Sequence, residues 1–321
     1  MSFDTSDITP LSLQVRSKRW LTPRVALFDL VDPHGAELPA YTAGAHVTVQ
    51  TPSGAMRQYS LCGDPQDRHT YSLAIQAEAN GRGGSRSLVE GVGEGDTLRV
   101  GLPKNAFELT DKARQFLLVA GGIGITPLRA MVRALQAEGL REFRLIYLTR
   151  DAASTPFLDE WQSPDLKSRV RLHHSATQGR LDLWSVFEKP VAGTHVYVCG
   201  PQGLIDEVCD MTGHWASGTV HVERFGADTQ PHAEDRAFEV GLKSSGQRVP
   251  VAATQSILEA LRQQGIRVPS SCESGTCGSC KVGYVEGEVD HRDLVLMPEE
   301  RSHCLMVCVS RARSDALVLD L

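Results

Sequence analysis

The chain has 321 residues, 41% apolar and 22% charged, which at roughly 150 residues per domain suits two domains or three smaller ones and excludes a disordered, collagen-like or coiled-coil protein. Lysine and arginine number 33 against 39 aspartates and glutamates, a formal charge of -6, so no electrostatic footprint for nucleic acid or an anionic membrane is present. The opening MSFDTSDITPLSLQV has neither a cationic nor an apolar signal region, and no run approaches the roughly 18 apolar residues of a spanning helix, which predicts a cytoplasmic protein.

From Leu11 to about Leu102 short apolar alternations are broken by turn residues: Val25–Phe28, His46–Val49, Tyr59–Leu61, Tyr71–Ile75 and Thr97–Val100. Regularly spaced short strands of this kind predict an antiparallel β barrel or sandwich. At Phe116 the period changes. Phe116–Ala120 is a continuous apolar run, as in a buried parallel strand, and a glycine turn leads to Leu128, Met131, Val132 and Leu135 at helical spacing. Arg144–Leu148, Val170–Leu172 and His195–Cys199 follow as further strands, the last running into a helix that carries Leu204, Ile205, Val208 and Met211. Strands alternating with helices predict an open, mostly parallel sheet.

The stretch from Gly226 to Arg236, GADTQPHAEDR, lacks apolar periodicity and reads as a linker. Beyond it Phe238, Val240 and Leu242 alternate as a strand, and Ser256 with Glu259 has the capping-box spacing that opens a short helix ending near Gly265. The predicted organisation is therefore a β barrel over 1–108, an α/β domain over 109–226, a linker over 227–236 and a small α+β module over 237–321.

Five of the eight cysteines fall in that last module: Cys272, Cys277, Cys280, Cys304 and Cys308. In a long chain without a secretion signal, metal or redox use is the better expectation than disulfides. Cys272-x4-Cys277-x2-Cys280 with a later cysteine is the spacing of a plant-type [2Fe-2S] loop. Three thiolates come from the small-residue loop SCESGTCGSC and the fourth from a distant strand. A zinc-stabilised binding module is the competing reading, but zinc usually takes two paired Cys-x2-Cys knuckles and only one such pair exists. Cys308 is predicted as the fourth ligand. It lies in Val307-Cys308-Val309-Ser310, β-branched residues suited to a buried strand, whereas Cys304 follows the polar Arg301-Ser302-His303, typical of a turn.

Gly121, Gly122 and Gly124 sit in AGGIGITP between a predicted buried strand and an amphipathic helix, where glycines admit a pyrophosphate to a helix N-terminus. The spacing is not the usual G-x-G-x-x-G, and a purely structural turn is the alternative. Cys199-Gly200-Pro201 closes a second parallel strand at its C-terminal end, where open α/β sheets bind ligands. In the barrel, Arg57 and Tyr59 share one face of a strand that also carries Ser60. Asn80–Ser85, NGRGGS, offers backbone amides and a hydroxyl to a phosphate at a helix start, a surface turn being the commoner use of such a sequence.

R-x-Y-S in a barrel, GGS before a helix, GGIGITP, YVCGP and the cysteine loop, in this order over essentially the whole chain, resemble the phthalate dioxygenase reductase family. The resemblance implies an FMN barrel, an NAD domain and a C-terminal plant-type ferredoxin domain. It implies that Arg57, Gly83, Gly84 and Ser85 hold the flavin phosphate, and that Tyr59, Ser60, Ala74 and Ile75 line the flavin ring. Gly121, Gly122, Gly124, Cys199, Gly200 and Pro201 would bind NAD. Thr126, Cys199 and Phe225 would align the hydride, Thr126 at the flavin edge and Phe225 over the ring. It likewise implies Cys308, with Cys272, Cys277 and Cys280, as the metal ligands. Arg224, in Glu223-Arg224-Phe225, is a departure that bears on docking of the last module.

NADH delivers two electrons together and an iron–sulfur cluster accepts one, so a flavin between them is required. No catalytic acid or base is nominated, and His173, His174 and His291 are read as ordinary surface or turn residues. No Cys-x-His pair of a Rieske site occurs, so the oxygenase is expected to be a separate partner acting on a small aromatic compound, with the reductase a monomer. NADH is predicted over NADPH although His173–Arg180 contains no acid and Arg180 leaves NADPH open. The alternatives are an NADPH-dependent reductase of a demethylating monooxygenase and a stand-alone ferredoxin-type carrier.

Overall fold

The structure, a computed structural model, describes residues 11–78, 83–226, 234–270 and 272–321. They fall into two compact units, the larger within residues 11–224 and the smaller over Phe225–Leu321.

The larger unit begins with β1 (Leu11–Thr22), β2 (Val25–Val31), β3 (His46–Gln50), β4 (Met56–Ser60), β5 (Tyr71–Gln76), helix α1 (Gly84–Gly91) and β6 (Thr97–Val100). The strands form one antiparallel sheet in the order β4-β3-β6-β1-β2-β5. Alternation sets its inner face: Val47 and Val49 of β3 are fully buried between half-buried neighbours. The edge strands β4 and β5 come back alongside one another without a hydrogen-bonded ladder, closing the sheet as a barrel. β1 alternates at Leu11, Leu13 and Val15 and then runs polar through Arg16–Arg19, which hides the rest of the strand in the sequence. It is held by pairing with β2 and β6 on either side.

The same unit continues with β7 (Gln115–Gly121), α2 (Ile125–Glu138), β8 (Glu142–Thr149), α3 (Leu158–Trp161), β9 (Val170–His174), α4 (Ser175–Gln178), α5 (Trp184–Phe187), β10 (Thr194–Cys199), α6 (Gln202–Met211) and β11 (Val220–Glu223). The five strands are parallel, in the order β11-β10-β7-β8-β9. β10 is buried along its whole length, which is why Val196–Cys199 is an unbroken apolar run. Alternate residues face opposite layers. Leu118, Ala120, Tyr197 and Cys199 pack with Leu128, Met131 and Leu135 of α2, while Val119, Val196 and Val198 pack with Ile205 and Val208 of α6. Val25, Leu27, Ala74 and Phe107 of the barrel belong to the α2-side core, so barrel and parallel sheet share apolar packing. Gly139 ends α2 in the left-handed region at φ 66°.

The smaller unit contains β12 (Phe238–Leu242), β13 (Arg248–Val251), α7 (Ile257–Gln263), β14 (Lys281–Glu286), β15 (Val289–Asp290), β16 (Cys304–Met306), β17 (Arg311–Ala312) and β18 (Ala316–Leu319). Five strands make a mixed sheet in the order β13-β12-β18-β14-β16. The predicted capping box is present in both halves: Ser256 Oγ accepts from the Glu259 amide at 3.2 Å and Glu259 Oε2 accepts from the Ser256 amide at 3.0 Å. Of the stretch read as linker, residues 227–233 lie outside the described residues, but Asp235 is packed into this unit, 2.5 Å from Arg292 and 3.6 Å from Arg311.

Candidate functional site

The parallel sheet changes direction between β7 and β10: from β7 the chain moves outward through β8 and β9, then returns to place β10 on the other side. Ligands of such sheets bind in the crevice at the carboxyl ends of the strands at that point. Both predicted glycine turns are there. Their glycines divide by what surrounds them. A Cβ on Gly124 would stand 2.2 Å from the Cys199 carbonyl oxygen, one on Gly121 2.6 Å from Pro201 Cδ, and one on Gly200 2.9 Å from the Gly121 backbone. These three let the two turns close on one another, the structural use that the sequence left open. Gly122, at φ 52°, has open space where its Cβ would be and lines a cavity of about 350 Å³ together with Gly121 and Pro201.

That cavity runs over the ends of β8 and β9 to α6, past Thr149, Arg150, His173, Arg180 and Glu207. His173 is therefore not a surface residue. It is buried, with Nε2 2.8 Å from the Gly179 carbonyl oxygen, because β9 runs two residues beyond the predicted Leu172. His174 Nδ1 lies 3.0 Å from Thr149 Oγ1. His291, in the smaller unit, is likewise part-buried, with Nε2 3.0 Å from the Arg301 carbonyl oxygen.

On the barrel side, β4 carries Arg57, Tyr59 and Ser60 along the seam facing β5, the strand of Ala74 and Ile75. The side chains of Ala74 and Ile75 are buried in the core, which leaves their backbone groups to meet a ligand. Tyr59 Oη is buried with no hydrogen-bond partner, and desolvation raises its pKa. Gly83 caps α1 in the left-handed region at φ 82°. A Cβ on Gly84 would stand 3.0 Å from Arg57 Nε, so the turn and the guanidinium are adjacent. Ser85 Oγ accepts from the Glu78 amide at 3.1 Å. Asn80, Gly81 and Arg82 of the same motif lie outside the described residues. An orphaned phenol beside an arginine and a glycine-opened helix start fits a ligand with a ring and a phosphate.

The two halves meet at a residue that sequence reasoning passed over. Glu223 ends β11, a strand without the strong apolar run that marked the others. It is part-buried, and its carboxyl turns inward: Oε2 lies 3.4 Å from Ser60 Oγ of the barrel and 4.0 Å from Cys199 Sγ of β10. Burial pushes its pKa up to about 8, against the Ser60 hydrogen bond that lowers it. Cys199 is fully buried, and burial, then Glu223, raises its thiol well above the usual range, which removes it as a nucleophile. Thr126 is buried in the first turn of α2 and its hydroxyl donates to the Ile123 carbonyl at 3.0 Å. Arg224 pairs with Asp206 of α6 at 3.2 Å. Phe225 opens the smaller unit with its ring about half exposed, at 46%.

The cysteine loop owes its curvature to left-handed residues: Glu273 at φ 52°, Gly275 at 71° and Gly278 at 78°. Glu273, an unfavoured residue there, is held by a 2.6 Å ion pair from Arg262 of α7. The Cys272 amide lies 3.5 Å from Cys277 Sγ and the Ser274 amide 3.4 Å from Cys272 Sγ. A hydrogen bond from Cys277 pulls the Cys272 thiol well below its usual range, against burial, and raises Cys277 in return. Cys308 is buried and raised, first by its hydrogen bond with Cys280 and then by burial. The thiols thus stand in two pairs, Cys272 with Cys277 and Cys280 with Cys308. Among the described residues no three such ligands converge on one point, and a binuclear cluster takes its cysteines in twos. Amides and hydroxyls directed at sulfur suit thiolates.

The secondary structure behind the choice of Cys308 was the reverse of the expectation. Cys304 begins strand β16 opposite Gly283, and Cys308 sits in the turn that follows it. A turn can aim a thiol back at the loop, which an extended strand paired to β14 does not.

Comparison with known proteins identifies the family. Residues 118–210 match the oxidoreductase NAD-binding domain family and residues 240–313 the 2Fe-2S iron-sulfur cluster binding domain family. The chain is 52% identical to the phthalate dioxygenase reductase of Burkholderia cepacia, over 97% of each chain. The chain belongs to the phthalate dioxygenase reductase family. It is 50% identical to the phthalate 4,5-dioxygenase oxygenase reductase subunit of Pseudomonas putida, over 96% of each. A solved phthalate dioxygenase reductase, described as a modular structure for electron transfer from pyridine nucleotides to [2Fe-2S], superposes with a TM-score of 0.89 at 52% identity over 98% of each chain. As a member of this family the chain is an electron-transferring oxidoreductase with FMN, NADH and a [2Fe-2S] cluster as cofactors. The stand-alone carrier and the zinc module are thereby set aside. No helix among the described residues is long and apolar enough to cross a membrane.

Proposed function

We propose that the chain is the reductase component of a two-component aromatic-ring oxygenase, carrying electrons from NADH through FMN and a [2Fe-2S] cluster to a separate oxygenase. The observation that carries this reading is the meeting of Ser60, Cys199 and Glu223: a hydroxyl of the barrel and the thiol ending one nucleotide-sheet strand both lie within 4.0 Å of the carboxyl that ends its neighbour. The flavin converts a hydride into single electrons; the protein's own work is alignment and exclusion of water.

In this reading FMN occupies residues 1–108, NADH 109–226 and the cluster 237–321, with 227–236 between them. Arg57 and the Gly83–Ser85 turn hold the phosphate. Tyr59 and Ser60, with the backbone of Ala74 and Ile75, line the ring. Gly122 opens the crevice to the nucleotide, while Gly121, Gly124, Gly200 and Pro201 hold its two turns together. Thr126 and the buried Cys199 border the point where nicotinamide meets flavin. Glu223, held neutral by burial at pH 7, places an uncharged hydrogen-bonding group there. Cys272, Cys277, Cys280 and Cys308 hold the cluster.

The partner's substrate is an aromatic acid, phthalate being the first candidate because two relatives are named for it. The protein acts as a cytoplasmic monomer. The test is an anaerobic titration of the purified protein with NADH. Flavin and cluster bands that bleach together, and FMN as the flavin released by denaturation, are expected. Recovery of FAD, or a cluster that stays oxidised while the flavin bleaches, would overturn the scheme. Turnover of phthalate with a phthalate oxygenase, driven by NADH, tests the partner.

A further inference from the structure

NADPH differs from NADH by one phosphate on the 2′-oxygen of the adenosine ribose, and an enzyme that takes NADPH meets it with a well-placed arginine. The cavity at the ends of β7, β8 and β9 offers two, Arg150 and Arg180, with the Ser175 hydroxyl between their segments. By cation count it suits the phosphate. Helix α4 after β9, Ser175–Gln178, contains none of the carboxylates that usually hold a ribose diol.

The carboxylate comes instead from α6. Glu207 stands three residues after Leu204, so both point from one face of the helix into the cavity. Among the described lining residues it is the one acid. Its carboxylate lies 2.5 Å from Arg180 Nη2. The two partners differ in freedom: the Glu207 side chain is 20% exposed and the Arg180 side chain 79%. Glu207 is therefore the fixed member and Arg180 the long, movable one.

We propose that Glu207 determines the choice of nucleotide. Its ion pair holds the Arg180 guanidinium away from a 2′-phosphate, and its own charge repels that phosphate, so the pocket accepts the diol of NADH. This rests on the cavity being where the adenosine half of the nucleotide binds. An exposed ion pair adds little to folding, but it removes the donor on which 2′-phosphate recognition depends.

The test uses the holoprotein and its Glu207→Gln variant. The kcat/KM for NADH and NADPH is measured with cytochrome c as acceptor, and the affinities for 5′-AMP and 2′,5′-ADP are measured by calorimetry. The wild type is expected to favour NADH and 5′-AMP. Glu207→Gln raises the NADPH/NADH ratio of kcat/KM by about tenfold or more and tightens 2′,5′-ADP relative to 5′-AMP by a similar factor. Arg180→Ala placed on Glu207→Gln removes both gains. An unchanged ratio in Glu207→Gln, gains that survive Arg180→Ala, or a wild type that prefers NADPH overturns the proposal. A wild type that binds 5′-AMP but oxidises neither nucleotide overturns the proposed function, and the calorimetric arm still decides the role of Glu207. A wild type that binds neither adenosine ligand overturns the pocket assignment and this inference with it.

Discussion

Replacing Glu223 by Gln isolates one buried carboxyl at the meeting of barrel and nucleotide sheet. The side chains are nearly the same size, and Gln can still accept the Ser60 hydroxyl, so packing is preserved and only titration is lost. In the native protein burial pushes the carboxyl to about 8, from 4.5 in an unfolded chain. The folded state therefore holds a proton that the unfolded state releases throughout that interval. Stability from this group is fully present below pH 4.5 and is lost as pH rises towards 8, at about 1.4 kcal/mol per pH unit. From pH 5 to 7.5 the wild type loses up to roughly 3 kcal/mol that the Gln variant keeps. At about 2–4 °C per kcal/mol for a unit of this size, the variant melts several degrees above the wild type at pH 7.5 and level with it at pH 5. The assay is thermal melting of both holoproteins across that range, followed by circular dichroism. Other groups titrate alike in both, so the difference reports Glu223 alone. Melting curves that stay parallel from pH 5 to 8 would refute the buried, neutral carboxyl.

Arg57→Ala removes a charge-assisted phosphate contact worth roughly 1.5–3 kcal/mol, so FMN affinity falls about 10- to 150-fold, read by fluorescence of released flavin. An unchanged affinity would take Arg57 out of the site. Cys308→Ser abolishes or grossly alters the cluster's visible absorption and Cys304→Ser leaves it intact; the opposite pattern would reassign the fourth ligand. Gly124→Ala drives a methyl into the Cys199 carbonyl at 2.2 Å, a backbone contact that cannot swing aside. It costs about 1–3 kcal/mol or more, seen as a lower Tm together with a raised KM for NADH. A variant with native Tm and KM would show that the two turns do not close as described.

The order of folds was written in local patterns. The change from period 2 to unbroken apolar runs at Phe116 reports burial on two faces, and the Ser256–Glu259 box reports a helix start whatever the rest of the chain does. The Cys272, Cys277 and Cys280 spacing is equally local, since one loop must wrap a cluster. Glycine turns were legible as turns, but sequence could not say which glycine serves the ligand. Gly121, Gly124 and Gly200 are required by one another across a topological crossover, and Gly122 alone of the AGGIG glycines faces open space.

Tertiary structure decided what depends on approach between distant segments. Glu223 has no periodicity to mark it and becomes a buried acid because β11 ends beside Ser60 and Cys199. His173 and Glu207 line one cavity because the parallel order brings the end of β9 and a face of α6 to one rim. Cys304 and Cys308 share a parity along the chain, so periodicity does not separate them, and the flanking residues chose Cys308 by assigning it the wrong secondary structure. The turn after β16 separates them, since only a bend carries the later thiol to Cys280. Sequence records what each segment buries, and the fold alone records which buried groups are made to meet.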